Sequence, residues 1–231
     1  MLFRQLFDEE TWTYTYLIAD EENHEAVLID PVKTRVDRDI KLLDELGLKL
    51  TYAIDTHVHA DHITGLGDLR ERTGCKTGVS ANGKVDCIDM NLKEGDILTF
   101  GNHKLHVLET PGHTDTCLSF VCENIVFTGD SLLIRGCGRS DFQQGDAGKL
   151  YDSITHKLYA LPDDTQIRPC HDYRGMTQST IGEEKIYNPR INLGREDFIK
   201  FMNNLNLPNP KKIHEAVPAN LACGQPEQET V

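Results

Sequence analysis

The chain has 231 residues, of which 39% are hydrophobic and 26% charged, with a formal net charge of −13. That length supports one large domain or two small ones, and the apolar content excludes a globally disordered chain. The acidic balance argues against nucleic acid or an anionic membrane as the main partner, although a few local arginines would still allow a small anionic substrate.

The N-terminus, Met1-Leu-Phe-Arg-Gln-Leu-Phe-Asp-Glu-Glu10, lacks the basic-then-apolar order of a secretion signal. It is also too acidic and arginine-poor for a mitochondrial transit peptide, and no apolar run approaches the roughly 18 residues of a membrane span. Cys75, Cys87, Cys117, Cys122, Cys137, Cys170 and Cys223 are odd in number and lack CxxC spacing. This predicts free thiols in a reducing cytoplasm. Each is expected to be a small buried apolar residue. Cys137, inside Arg135-Gly-Cys-Gly-Arg139, is held open as functional.

In chain order, 13–20 and 25–30 read as adjacent strands joined by the polar turn 21–24, so His24 gets no role. Asp30-Pro31 closes the second strand, which makes Asp30 a candidate support for a nearby site. Val36, Ile40, Leu43 and Leu46 recur at helical spacing, and Gly47 stops that helix. The apolar run 50–55 predicts a buried strand that delivers Thr56-His57-Val58-His59-Ala60-Asp61-His62 onto a loop, and 63–70 reads as the first turns of a helix. Short strands are predicted at 76–80, 97–100 and 105–108, with His103 and His106 as ordinary flanking residues. Pro111-Gly112 forces a turn that presents His113. Strands at 117–122 and 125–130 follow, and the second ends on Asp130. Leu150, Ile154, Leu158 and Leu161 form a helical stripe stopped by Pro162. The run 166–171 is a strand ending on His171. Phe198, Phe201, Met202 and Leu205 form a second stripe, stopped by Leu207-Pro208-Asn209-Pro210. The tail from Pro218 is polar and expected to fray after Cys223.

Four strand ends therefore present potential ligands: His57, His59, Asp61 and His62 together, then His113, Asp130 and His171. Imidazole and carboxylate suit zinc, iron or manganese rather than calcium. Consecutive strands whose ends lie on one sheet edge bring such residues together. Spacing alone leaves one metal or two open.

Thr-His-x-His-x-Asp-His at 56–62, followed by His113, Asp130 and His171, resembles the metallo-β-lactamase superfamily. The resemblance implies an α/β fold, the αββα sandwich, as a single domain over residues 1–231. It also implies a C-terminal helical extension from about residue 176. A narrower likeness rests on 56–65, Phe127-Thr-Gly-Asp130, the stretch Ile134–Gly145, His171-Asp-Tyr173, 203–208 and Val217-Pro-Ala-Asn220. Together these resemble persulfide dioxygenases, also called sulfur dioxygenases. That family implies a non-haem Fe(II) enzyme of sulfide oxidation, with one iron per chain. It would convert glutathione persulfide, O2 and water to sulfite and glutathione. The cysteines, the charge and the lack of a long apolar run, rather than the resemblance, point to the cytoplasm without nucleic acid or membrane, and a homodimer is the candidate assembly. Carried over, the iron ligands fall on His57, His113 and Asp130. His59, Asp61, His62 and His171 would orient those ligands and bind water. Arg139, Tyr173 and Arg190 would receive glutathione, whose two carboxylates suit arginine. The rival within the superfamily is a glutathione thioester hydrolase of the glyoxalase II type, with two metals and Asp130 between them. A non-catalytic persulfide sensor working through its cysteines is the rival outside it.

Overall fold

The computed structural model describes residues 1–205, 207–208 and 212–225. The expected breaker at Asn209-Pro210 and the tail beyond 225 lie outside the described residues. The chain forms two compact units. The first comprises Met1–Leu92, Thr99–Lys104 and the segment 212–225, and the second comprises Lys93–Leu98 and Leu105–Pro208.

The first unit is built on a mixed sheet of β1 (Leu2–Asp8), β2 (Thr13–Asp20), β3 (Glu25–Ile29), β4 (Lys49–Ile54), β5 (Lys76–Ser80) and β6 (Met90–Leu92), paired in that order. β1, β2 and β3 are antiparallel neighbours, while β3 to β6 run parallel. Every residue of β2 is buried, so its sequence reads as a continuous run rather than an alternation. The parallel steps need crossovers. Helix α1 (Val36–Glu45) supplies the one between β3 and β4, and α2 (Leu66–Thr73) the one between β4 and β5. Leu17, Leu28, Leu43, Leu50, Leu66 and Leu69 pack together as the core of this unit. The histidine loop follows the C-terminal end of β4, where parallel sheets bind ligands.

Helix α2 starts three residues later than its sequence suggests. Residues 63–65 turn back instead onto the segment after β3. Lys33 N donates to Ile63 O at 2.9 Å and Gly65 N to Pro31 O at 2.7 Å, and Val32 bridges Thr64.

The second sheet contains β7 (Ile97–Phe100), β8 (His103–Glu109), β9 (Leu118–Cys122), β10 (Ile125–Gly129), β11 (Gln166–Pro169) and β12 (Ser179–Thr180), again in sequence order. Helix α3 (Ala147–His156) is capped by Asp146, which accepts from Lys149 N at 2.8 Å. The apolar stripe continues past the helix end into a 3-10 turn at Leu158–Ala160. Helices α4 (Ile181–Tyr187) and α5 (Arg195–Asn203) complete the unit, and Leu150, Ile154, Leu158, Phe198 and Met202 share its core. Phe201 departs from the predicted stripe: it is 41% exposed, with the Arg190 guanidinium 5.7 Å over its ring.

One reading is refined and one corrected. The segment that reads as a polar tail from Pro218 is partly helical and buried. Helix α6 (Ile213–Leu221) runs through that proline, and Asn220 is buried in it. The cysteines are not all free. Cys87 and Cys223, 136 residues apart, form a disulfide, while Cys75, Cys117, Cys122, Cys137 and Cys170 are buried thiols. Such a pair carries no local signature in the sequence, because only the docking of α6 brings the two cysteines together. Among the described residues, no helix is long and apolar enough to cross a membrane.

Candidate metal centre

In the first unit the centre begins with Asp30, which sits just after β3 with φ of 52°. Its carboxylate is 1% exposed, yet it is fully engaged. Oδ1 accepts from Thr56 N at 2.7 Å and from His59 Nε2 at 3.1 Å, and both oxygens accept from Thr56 Oγ1 at 3.0 and 3.1 Å. The support suggested for Asp30 by its sequence position is present. The Thr56 hydroxyl, having given its proton to Asp30, can accept from His57 Nδ1 at 3.0 Å. That leaves the lone pair of His57 on Nε2, the form a metal needs.

His57, His59 and His62 are buried, with ring centroids 4.1 Å apart from His57 to His59 and 4.2 Å from His59 to His62. His62 Nδ1 donates to Asp61 Oδ2 at 3.0 Å. Burial opposes a charge on His59. The hydrogen bond to Asp30 and the charges of Asp30, Asp55 and Asp61 more than reverse this and raise its imidazole to about 9. Burial also pushes the Asp55 carboxyl up to about 7. His59 Nδ1 is buried without a hydrogen-bond partner among the described residues. His59, Asp61 and His62 offer ligand atoms within 4.8 Å of one another, a set that could hold a cation.

The second unit holds a donor set of its own. Gly112, with φ of 141°, makes the turn before His113, and any Cβ there would lie 2.2 Å from Leu150 Cα on α3. His113 Nδ1 donates to Arg139 O at 2.6 Å, since a carbonyl can only accept. Its Nε2 lies 3.6 Å from Asp130 Oδ2. Asp130 follows Gly129, whose φ of 51° turns the acid off the end of β10. Its other oxygen accepts from His171 Nδ1 at 2.7 Å. A histidine nitrogen and a carboxylate oxygen at that separation are close enough to ligate one cation. The donors fit a metal of the iron or zinc class.

The stretch 134–145 lies directly behind these donors. Gly138 N donates to Asp130 O at 2.8 Å. A Cβ on Gly138 would come within 2.4 Å of that same oxygen and 2.8 Å of His113 Nδ1. Glycine is required there by close approach to both donors, not by its backbone angles.

The three sequence-predicted substrate residues all lie in the second unit. Arg139 holds Asp141 with Nε and Nη2, both at 2.6 Å, donates to Pro208 O at 2.7 Å, and covers the Phe142 ring at 4.1 Å. Tyr173 is 64% exposed, its ring parallel to His171 with centroids 6.0 Å apart. Arg190 donates to Cys137 O at 2.7 Å. Cys137 itself is buried, and burial pushes its thiol up to about 11 against the opposing charge of Arg190. A thiol so seldom ionised at neutral pH is a packing residue rather than a nucleophile.

Sequence reasoning assigned no role to Asn220. Its side chain accepts from Thr64 N at 2.8 Å and donates to His59 O and His62 O, both at 2.9 Å. Its position in Val217-Pro-Ala-Asn220 was a signal of kinship, but nothing local showed that it reaches back across 156 residues to Thr64.

Comparison with known proteins bears on the family and the fold. The model of the metallo-beta-lactamase superfamily matches residues 13–89 and 88–171. The mitochondrial persulfide dioxygenase ETHE1 of Mus musculus is 52% identical over 227 residues, 97% of this chain and 89% of that protein. A crystal structure of ETHE1 from Myxococcus xanthus shares 55% identity with a TM-score of 0.96, covering 97% of this chain and 100% of that one. A hydroxyacylglutathione hydrolase of Roseobacter denitrificans is more distant, 34% identical over 165 residues, 69% of this chain and 62% of that protein. Two mixed sheets with their helices, a donor-bearing loop in each unit and likeness over nearly the whole length converge: the chain belongs to the metallo-β-lactamase superfamily and, within it, to the persulfide dioxygenase family.

Proposed function

We propose that this chain is a mononuclear non-haem Fe(II) persulfide dioxygenase, acting as one metallo-β-lactamase-fold domain in the cytoplasm. Glutathione persulfide, O2 and water give glutathione, sulfite and two protons. The terminal sulfur gives up four electrons, and O2 accepts them. His57, His113 and Asp130 would hold the iron, a two-histidine-one-carboxylate set with open positions. When bound, iron supplies a change of oxidation state toward O2 that zinc cannot.

The observation that carries the reading is the approach of His113 Nε2 to Asp130 Oδ2, at 3.6 Å, in a chain of this family. The chain's own residues prepare them. The Arg139 carbonyl fixes the His113 tautomer, His171 occupies one carboxylate oxygen of Asp130, and Thr56 with Asp30 orients His57. Tyr173, exposed beside His171, would line the approach for glutathione. Arg190 and Arg139 would take its carboxylates, Arg139 in place of Asp141.

A second reading rests on one observation. The His59, Asp61 and His62 donors are what a second metal would require, and a thioester hydrolase of the glyoxalase II type uses two. Metal analysis of anaerobically purified protein, with O2 uptake on adding glutathione persulfide, separates the two. About one iron per chain with persulfide-dependent uptake supports the dioxygenase. Two zinc-class ions, no uptake and cleavage of a glutathione thioester would move the assignment to the hydrolase.

A further inference from the structure

We propose that Asn220 is a positioning residue for the metal-ligand loop, and that the Cys87–Cys223 disulfide makes its hold depend on the thiol redox state. The inference rests on the reading that His57 binds the metal.

The loop 56–64 is braced at both ends by buried side chains. Asp30 holds Thr56 N at its start. Asn220 holds His59 O, His62 O and Thr64 N toward its end. One carboxamide thus satisfies three backbone groups on the segment that carries His57, His59, Asp61 and His62. Its two functions, an acceptor to Thr64 and donors to two carbonyls, are met together by no other side chain of that size.

Asn220 is itself held by the turn that follows it. Cys223 N donates to Asn220 O at 3.1 Å and Gly224 N to Ala219 O at 2.8 Å. That turn docks tightly on α2 and the loop. Gly67 N donates to Cys223 O at 3.1 Å, and Lys33 Nζ donates to Gly224 O at 2.7 Å. A Cβ on Gly67 would lie 2.5 Å from Cys223 O, and one on Gly224 would lie 2.2 Å from Thr64 O. Neither glycine leaves room for slack. The disulfide then ties Cys223 to Cys87, in the connection between β5 and β6. Cys87 is half-buried while Cys223 is buried, so an attacking thiolate reaches the bond from the Cys87 side.

Reduction by a small-molecule thiol proceeds in two exchanges. The first thiolate bonds to Cys87 and releases the Cys223 thiolate, which takes a proton. A second thiolate then releases Cys87, which is also protonated. Two thiols become one disulfide, and their two electrons pass to the protein's cysteines. The reduced turn is held to the first unit by hydrogen bonds and by the packing of Cys223 in its core, without the covalent tie, and Asn220 gains freedom to leave the loop.

The test uses the full chain loaded with Fe(II) under anaerobic conditions. It measures iron release to a coloured ferrous chelator, and hydrogen exchange at the Thr64 amide in the metal-free protein. Asn220→Ala should speed iron release about tenfold or more, within the 10–100-fold range for residues that orient ligands, and should deprotect Thr64. Asn220→Asp keeps an acceptor but loses the amide donors, so it should restore Thr64 protection in part and iron retention hardly at all. Val217→Ala serves as the control. It trims a core contact of the same helix, and should lower the melting temperature without changing iron release. Excess dithiol should move the wild-type protein toward the behaviour of Asn220→Ala, and Cys87→Ser should show it without reductant. Equal iron release from Asn220→Ala and Val217→Ala at matched stability would overturn the positioning role. Unchanged Thr64 exchange on reduction would overturn the redox link. If the wild-type protein holds no iron and takes up no O2, the functional reading falls instead, while the exchange at Thr64 still decides whether Asn220 braces the loop.

Discussion

Gly138→Ala tests whether the 134–145 stretch positions the metal donors. The added Cβ would lie 2.4 Å from Asp130 O, 2.8 Å from His113 Nδ1 and 2.9 Å from His113 Cγ. The nearest obstacle is a backbone carbonyl, which cannot rotate away as a side chain does. Either residues 136–140 withdraw, lengthening the Gly138 N to Asp130 O bond and the His113 to Arg139 O bond, or Asp130 and His113 move from their present places. Overpacking of this kind costs about 1–3 kcal/mol in stability. The displaced donors should lose roughly 10–100-fold in metal affinity, about 1.4–2.8 kcal/mol at 1.4 kcal/mol per decade. Iron stoichiometry and release rate would be measured against Gly136→Ala, two residues away, where a Cβ meets nothing within 4 Å. If both variants keep iron equally well, the stretch does not support the donors and its likeness to the family is ancestry alone.

Asp130→Ala should abolish iron binding and O2 uptake, because the donor set loses its carboxylate charge; a full complement of iron in that variant would dismiss the ligand assignment. Arg139→Ala should raise KM about tenfold with kcat and iron content kept, as loss of a remote carboxylate contact does. A fall in iron content would instead make the guanidinium a brace of the loop through Asp141 and Pro208. Asp39→Asn should stabilise the protein at neutral pH. Burial holds the Asp39 carboxyl at about 6, despite the nearby charge of Arg38. The folded state therefore holds that proton more tightly than the unfolded chain, and stability is lost as pH rises from about 4 to 6. At roughly 1.4 kcal/mol per unit, the gain at pH 7 is about 1–3 kcal/mol and vanishes below pH 4. Urea melts across that range check it, and a gain independent of pH would refute the cause.

What could be read in the sequence was the chemistry and its delivery. β4 and β10 announce themselves as apolar runs, and β11 as a short run ending on a histidine. The glycine before Asp130 and the proline-glycine pair before His113 mark sharp turns. The edge strand β1 was hidden because its residues are half exposed and follow neither period cleanly. Phe201 followed the helical period and yet faces outward, because the stripe of α5 is narrower than its apolar residues suggest. The C-terminal segment reads as a polar tail from Pro218, because its few apolar residues show no helical stripe. A helix can carry proline where its carbonyl partner finds another donor or water, and α6 continues for three residues beyond it.

What could not be read was the support. The tautomer of His113 is set by the carbonyl of Arg139, and that of His57 by a threonine whose own proton goes to Asp30. The carbonyls of His59 and His62 are held by Asn220. In most of these pairs one partner is a backbone atom, which every residue possesses, so its identity leaves no trace in the sequence. Only its position matters, and position is a property of the finished fold. The same reasoning separates two parts of Arg139, whose guanidinium holds Asp141. The guanidinium is the visible part of that residue, but its main-chain oxygen is the part in contact with a donor. Replacing the side chain and displacing the backbone are therefore separate experiments. Arg139→Ala removes the first and leaves the carbonyl in place, while Gly138→Ala moves the carbonyl and leaves the guanidinium. If the two variants fail in the same way, the division between substrate contact and metal support is wrong. If the first loses KM and the second loses iron, one short loop serves both.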